Sequence, residues 1–228
     1  MYRQTKFSKL IFILCLIVLI TGIIYIPTIQ DDKMLGICGF KIFETALMMF
    51  IVLIPTIFRQ LLHINITPAI ENSLVAFCFT GLILGDVANF YGHFKWWDTA
   101  LHGVSGMLMG IIGYEIVNTS NGVYNNKTGH TPLFVFVWIF SFSLAAGTLW
   151  EIMEFVTDGL FGLNSQEFLI SSGTFDTTVP HIGRNALYDT MHDLILDSLG
   201  ATAVAVYGYL DTKKHARVRD HCTKRELL

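Results

Sequence analysis

The chain has 228 residues, 53% of them hydrophobic and 14% charged, and a mean hydropathy of +0.54, more apolar matter than one soluble core of this length needs. Its formal net charge of -3 gives no electrostatic case for nucleic acid, and its basic residues are not interleaved with aromatics as a strand-binding groove requires. Cys15, Cys38, Cys78 and Cys222 contain no CxxC pair, and Cys15 and Cys78 sit inside apolar runs, so neither a disulfide framework nor a thiolate metal site follows.

In chain order, Arg3, Lys6 and Lys9 precede an apolar stretch from Leu10 to about Ile29. It is too long for the apolar region of a secretory signal and lacks a small-x-small cleavage site near Tyr25, so it is expected to stay as a first transmembrane helix. Crossing about 30 Å of hydrocarbon takes roughly 20 residues. Five further stretches meet that length, at residues 42–62, 71–89, 97–117, 133–154 and 189–210. The expected fold class is all-α, a polytopic membrane helix bundle of six spans. It forms one integral membrane domain over 1–228, with a basic tail at 211–228. Pro55 can kink the second span, which opens on Lys41 and Glu44. The sixth is the most polar, and only the run Leu199-Gly-Ala-Thr-Ala-Val-Ala-Val206 makes it a span.

Six spans put both termini on one side, together with the loops near Arg59 and Lys127. Arg3, Lys6, Lys9, Arg59, Lys127, Lys213, Lys214, Arg217, Arg219, Lys224 and Arg225 then share that side, eleven of the fifteen basic residues. The positive-inside rule makes it cytoplasmic, and the location expected is a bacterial cytoplasmic (inner) membrane with lipid as the surrounding partner.

This topology carries three sets of acids to the outer side. Asp98 and His102 lie in the outer half of the fourth span, Glu151, Glu154 and Asp158 at the outer end of the fifth, and Asp189, Asp193 and Asp197 at the outer start of the sixth. Their spacings, i,i+4, then i,i+3,i+7, then steps of four, place each set on one helix face. Asp86, Gln166 and His181 could join them. Two carboxylates about 4 Å apart repel by roughly 4 kcal/mol at an effective dielectric near 20. Such a cluster therefore implies a bound cation or shared protons. Oxygen-rich ligation with an imidazole suits a divalent ion, Mg, Mn, Ca or Zn.

Simpler roles compete for each residue. Asp98 and Asp189 fit as helix caps and dipole partners, whereas Asp193, Asp197 and Glu151 lie too far into their spans for that. Trp96 and Trp97 fit an interfacial belt. Gly103, Gly106 and Gly110 with Ser105 make a small-residue face suited to close helix packing. His63, His130, His215 and His221 fall on the cytoplasmic side and carry no expected role, and His93 and His192 fit either reading.

Three motifs carry a family resemblance. Asp98-x3-His102 with Gly106, then Trp150-Glu151-x2-Glu154-x3-Asp158, then Asp189-Thr-Met-x-Asp193-Leu-x2-Asp197-x2-Gly200-Ala resemble the YjdF-type family of predicted bacterial inner-membrane proteins. A looser similarity connects them to VanZ-like proteins, with Glu154 where that pattern has Gln and Asp197 where it has an amide. The resemblance covers roughly Asp86 to Ala201 and implies a location and a fold rather than a reaction.

Three functional classes remain open. One is a metal-dependent enzyme acting on a lipid or envelope substrate, with His102, Glu151, Asp193 and Asp197 as metal ligands and Asp98 or Glu154 as general base. Another is an ion- or proton-coupled carrier using the same carboxylates, although no inverted repeat is evident. The third is a non-catalytic membrane component whose acids cap and cross-link helices.

Overall fold

The structure, a computed structural model, describes residues 4–61, 67–120, 130–170 and 179–226. Arg3, His63 and Lys127 lie outside the described residues, as do the side chains of Arg217, Arg219, His221, Cys222, Lys224 and Arg225. Among the described residues the regular structure is helical, with no strand beyond an isolated bridge between Leu169 and Pro180. The helices are α1 (Lys6–Tyr25), α2 (Asp32–Leu61), α3 (Pro68–Cys78), α4 (Phe90–His93), α5 (Trp97–Ser120), α6 (Pro132–Phe161) and α7 (Tyr188–Glu226).

Among the described residues six segments are long and apolar enough to cross a membrane, as expected. Their ends differ from the expectation where polar residues are built into helices. α2 begins at Asp32 rather than Ile42, and α6 runs on to Phe161. α7 continues through the basic tail to Glu226, in keeping with the helix-forming lysines and arginines and Ala216 there. Pro55 lies inside α2, and the Gln4 amide donates to the carbonyl of Val52 at 3.1 Å, next to the ladder position that the proline disrupts.

The third span departs most from a regular helix. Thr67 caps it, with Pro68 in the first turn. It is an α-helix only to Cys78, then a π-helix over Phe79–Val87. Asn89, in the left-handed conformation at φ 61°, turns the chain into α4.

The chain divides into two compact units, Met1–Leu101 with Leu149–Asp193, and His102–Thr148 with Leu194–Leu228. The first packs Ile11 and Cys15 of α1, Met48 and Val52 of α2, and Val75, Leu82 and Ile83 of the third span into one apolar core. The other face of α1 exposes Leu10, Ile13, Ile17, Ile20 and Ile24, the last at 70%. Such a face would be an aggregation site in water and is what a lipid solvent accepts.

The second unit packs Val117, Val135, Ile139 and Ala205. Its helices approach through glycine. A Cβ on Gly106 would overlap the backbone carbonyl of Asp197, and one on Gly200 would sit 2.8 Å from the amide nitrogen of Met107. The small-residue face expected on α5 is therefore a packing surface, with Gly103 the exception, since nothing lies within 4 Å of its added Cβ.

Candidate functional site

In the first unit the polar ends of several helices surround a cavity of about 470 Å³. The third span delivers Asp86 from its π-helical end, α2 delivers Glu44, the start of α5 delivers Asp98 and the last turns of α6 deliver Glu154. Glu167 adds a fifth carboxyl, against Lys95 and His181 as the basic lining residues. Phe40, Tyr91, Phe94 and Trp150 supply aromatic surface.

Asp98 and Asp193 approach each other at this site. A carboxylate oxygen of each lies within 4.8 Å of one from the other. Asp193 is 2% exposed and Asp98 half-buried. Two carboxylates this close offer oxygen donors of the kind that hold a divalent metal ion. His192 flanks the pair, with Nδ1 3.6 Å from Oδ1 of Asp193.

The other expected site residues have defined places. Glu151, 4% exposed, stands on α6 in the same unit. Oε1 of Glu154 accepts a 2.8 Å hydrogen bond from the Trp150 indole, one turn earlier on that helix. Asp158 accepts the backbone amides of Ser165 at 2.8 Å and Gln166 at 3.1 Å, which pins the turn after Gly162. Gln166 donates to the Thr190 hydroxyl at 3.0 Å, and so ties that turn to the start of α7. In the second unit Asp197 accepts from the Ser105 hydroxyl and faces Nδ1 of His102 at 3.4 Å. His93, ambiguous in sequence, bonds the Asn89 carbonyl at 2.6 Å and serves local structure.

Several residues escaped the sequence reading. Glu44, read as the opening of a span, is 2% exposed inside α2 and lines the cavity together with Asp86. Tyr91 fits against the third span because Gly85 has no side chain, since a Cβ there would overlap the tyrosine ring. Burial, followed by the charges of Asp86 and Asp98, pushes the Tyr91 phenol well above its usual range. Glu167 adopts a left-handed backbone, φ 44°. Burial and then the Asp98 charge raise its carboxyl pKa, opposed by His181 and Lys95. Away from the cavity, Glu71 accepts from the Ser8 hydroxyl at 2.6 Å, the Thr5 amide at 3.0 Å and Nη2 of Arg59 at 2.8 Å. Both ends of that ion pair are buried.

Membrane-length apolar helices enclosing an acid-lined polar cavity define a multi-pass membrane protein. The chain belongs to the family described as "Predicted membrane protein (DUF2238)", which matches residues 7–214. The match takes in the first two spans, beyond the stretch from Asp86 to Ala201 that carried the resemblance in sequence. The chain is also 26% identical over 156 residues to an "Uncharacterized protein" of Thermotoga maritima, covering 68% of this chain and 69% of that protein. No solved structure matches it.

Proposed function

We propose that this chain is a YjdF-type protein of the bacterial inner membrane that binds a divalent cation at Asp98 and Asp193 and acts on a lipid or envelope substrate admitted to the adjoining cavity. The observation that carries this reading is the approach of those two carboxylates, Asp193 almost wholly buried, beside a chamber lined by Asp98. Burying like charges this close is costly unless a cation or a proton lies between them.

Within that reading Glu151, buried on α6 in the same unit, is a further oxygen ligand. A bound divalent ion would supply Lewis acidity and a nucleophilic water at neutral pH. Glu154 lines the cavity, its Oε1 fixed by Trp150, and serves as the general base. The size of the cavity favours this enzyme reading over a bare ion carrier, because it has the capacity of a small-molecule site, about 300–1,000 Å³.

Elemental analysis of purified protein tests the proposal. Wild type supplemented with Mn, Mg, Ca or Zn should retain near-stoichiometric metal, and Asp193→Asn should lose most of it, with Glu151→Gln in between. Equal, near-zero content in all three would refute the site.

A further inference from the structure

We propose that the cavity of the first unit seats an alkylammonium group, with Glu44 and Asp86 as its counter-ions and Tyr91, Phe94 and Trp150 as its aromatic surface. The proposal deepens the reading above and rests on the cavity being the chamber that admits substrate.

The first support is chemical. Glu44 is 2% exposed, lines the cavity, and its Oε2 has no hydrogen-bond partner among the described residues. A buried carboxyl oxygen without a donor costs about 1–3 kcal/mol or more, so the position calls for a donor from outside the chain. Lys41 is near enough to interact with Glu44, but its ammonium donates to the Val87 carbonyl at 3.1 Å. An ammonium that enters the cavity brings the N–H donor that Oε2 of Glu44 lacks.

The second support separates an organic cation from a metal ion. Hard divalent ions take shells of oxygen ligands and water. The wall around Glu44 and Asp86 instead holds aromatic residues, which attract weakly hydrated cations through their ring faces. The cavity is also far larger than one ion needs. The π-helical turn that supplies Asp86 and leaves room for Tyr91 is of a kind found often at functional sites.

The ammonium could arrive on a lipid headgroup or on a free amine, and the experiment separates the two. Protein in phosphatidylglycerol nanodiscs, with a metal chelator present, is titrated calorimetrically with ethylammonium and with ethanol, its uncharged isostere. Saturable binding of ethylammonium, with ethanol at least about tenfold weaker, supports the proposal. No saturable binding of ethylammonium to the wild type, or equal binding of ethanol, overturns it. Glu44→Gln and Asp86→Asn should each weaken the cation by about tenfold or more while the thermal melt stays cooperative. Unchanged affinity in both variants also overturns it. Repeating the wild-type titration in phosphatidylethanolamine nanodiscs identifies the source: weakened binding through competition marks the lipid headgroup, and unaltered binding marks a free amine. Mn2+ binding without chelator is measured separately, so loss of the Asp98/Asp193 metal site and loss of the ammonium site are distinguishable.

Discussion

Arg59 shows how the sequence misleads at the scale of one residue. Counted as a topology marker at the end of a span, it is buried against Glu71, which also accepts from Ser8 and Thr5. Hydropathy treats a charge near a span end as solvated, and only the packing of α1 against α2 and α3 reveals its partner. Arg59→Met leaves Glu71 buried without its counter-charge, and we expect a loss of about 3–5 kcal/mol, read as a lower melting temperature in detergent. The double variant Arg59→Met/Glu71→Gln should recover much of that loss. A single variant that melts like wild type would show that the pair contributes little.

Glu167 gives a prediction in pH at the same scale. Its carboxyl pKa is raised in the folded state, so the folded protein holds that proton more tightly than the unfolded chain does. The stability this contributes is present below the ordinary glutamate range and is lost as pH rises through the folded value. Glu167→Gln should therefore flatten the fall in melting temperature above about pH 4.5. A slope identical to wild type would place the charge in free solvent.

At the scale of the helix, spacing was a sound guide to faces and a poor one to partners. Asp193 and Asp197 share a face of α7 by their spacing of four, yet Asp193 meets Asp98 while Asp197 meets Ser105 and His102. Four residues advance about 6 Å along the axis, enough to give successive turns different neighbours. The α5 glycines were legible because small residues in an apolar helix have few other uses. Which glycine matters was not legible, since it depends on the facing helix. Gly106→Ala should destabilise by about 1–3 kcal/mol, because its Cβ meets the Asp197 carbonyl. Gly103→Ala, with open space, should be neutral or stabilising by up to about 1 kcal/mol. Equal melting temperatures for the two variants would contradict the packing described for α5 and α7.

Across the whole molecule, the six membrane-length helices among the described residues are legible from hydropathy alone. The π-helical end of the third span and the acid in the middle of α2 were not, because both depend on tertiary contacts at Tyr91 and Asp86. Their effect is to bring Glu44 and Asp86 to the wall of the same cavity as Asp98 and Glu154. The lysine and arginine pattern predicts that both termini are cytoplasmic and that the segment from Phe155 to Tyr188 lies outside. Reporter fusions check this: active alkaline phosphatase fused within that segment fits, and active cytoplasmic reporters there would reverse the assignment.

The central claim is that Asp98 and Asp193 share a cation. Calorimetric titration of metal-stripped wild type, Asp98→Asn and Asp193→Asn with Mn2+ tests it most directly. One saturable site is expected in wild type, with at least about tenfold weaker binding in each variant, as for loss of a charged ligand. Binding of equal affinity in all three proteins, or none in wild type, would contradict it.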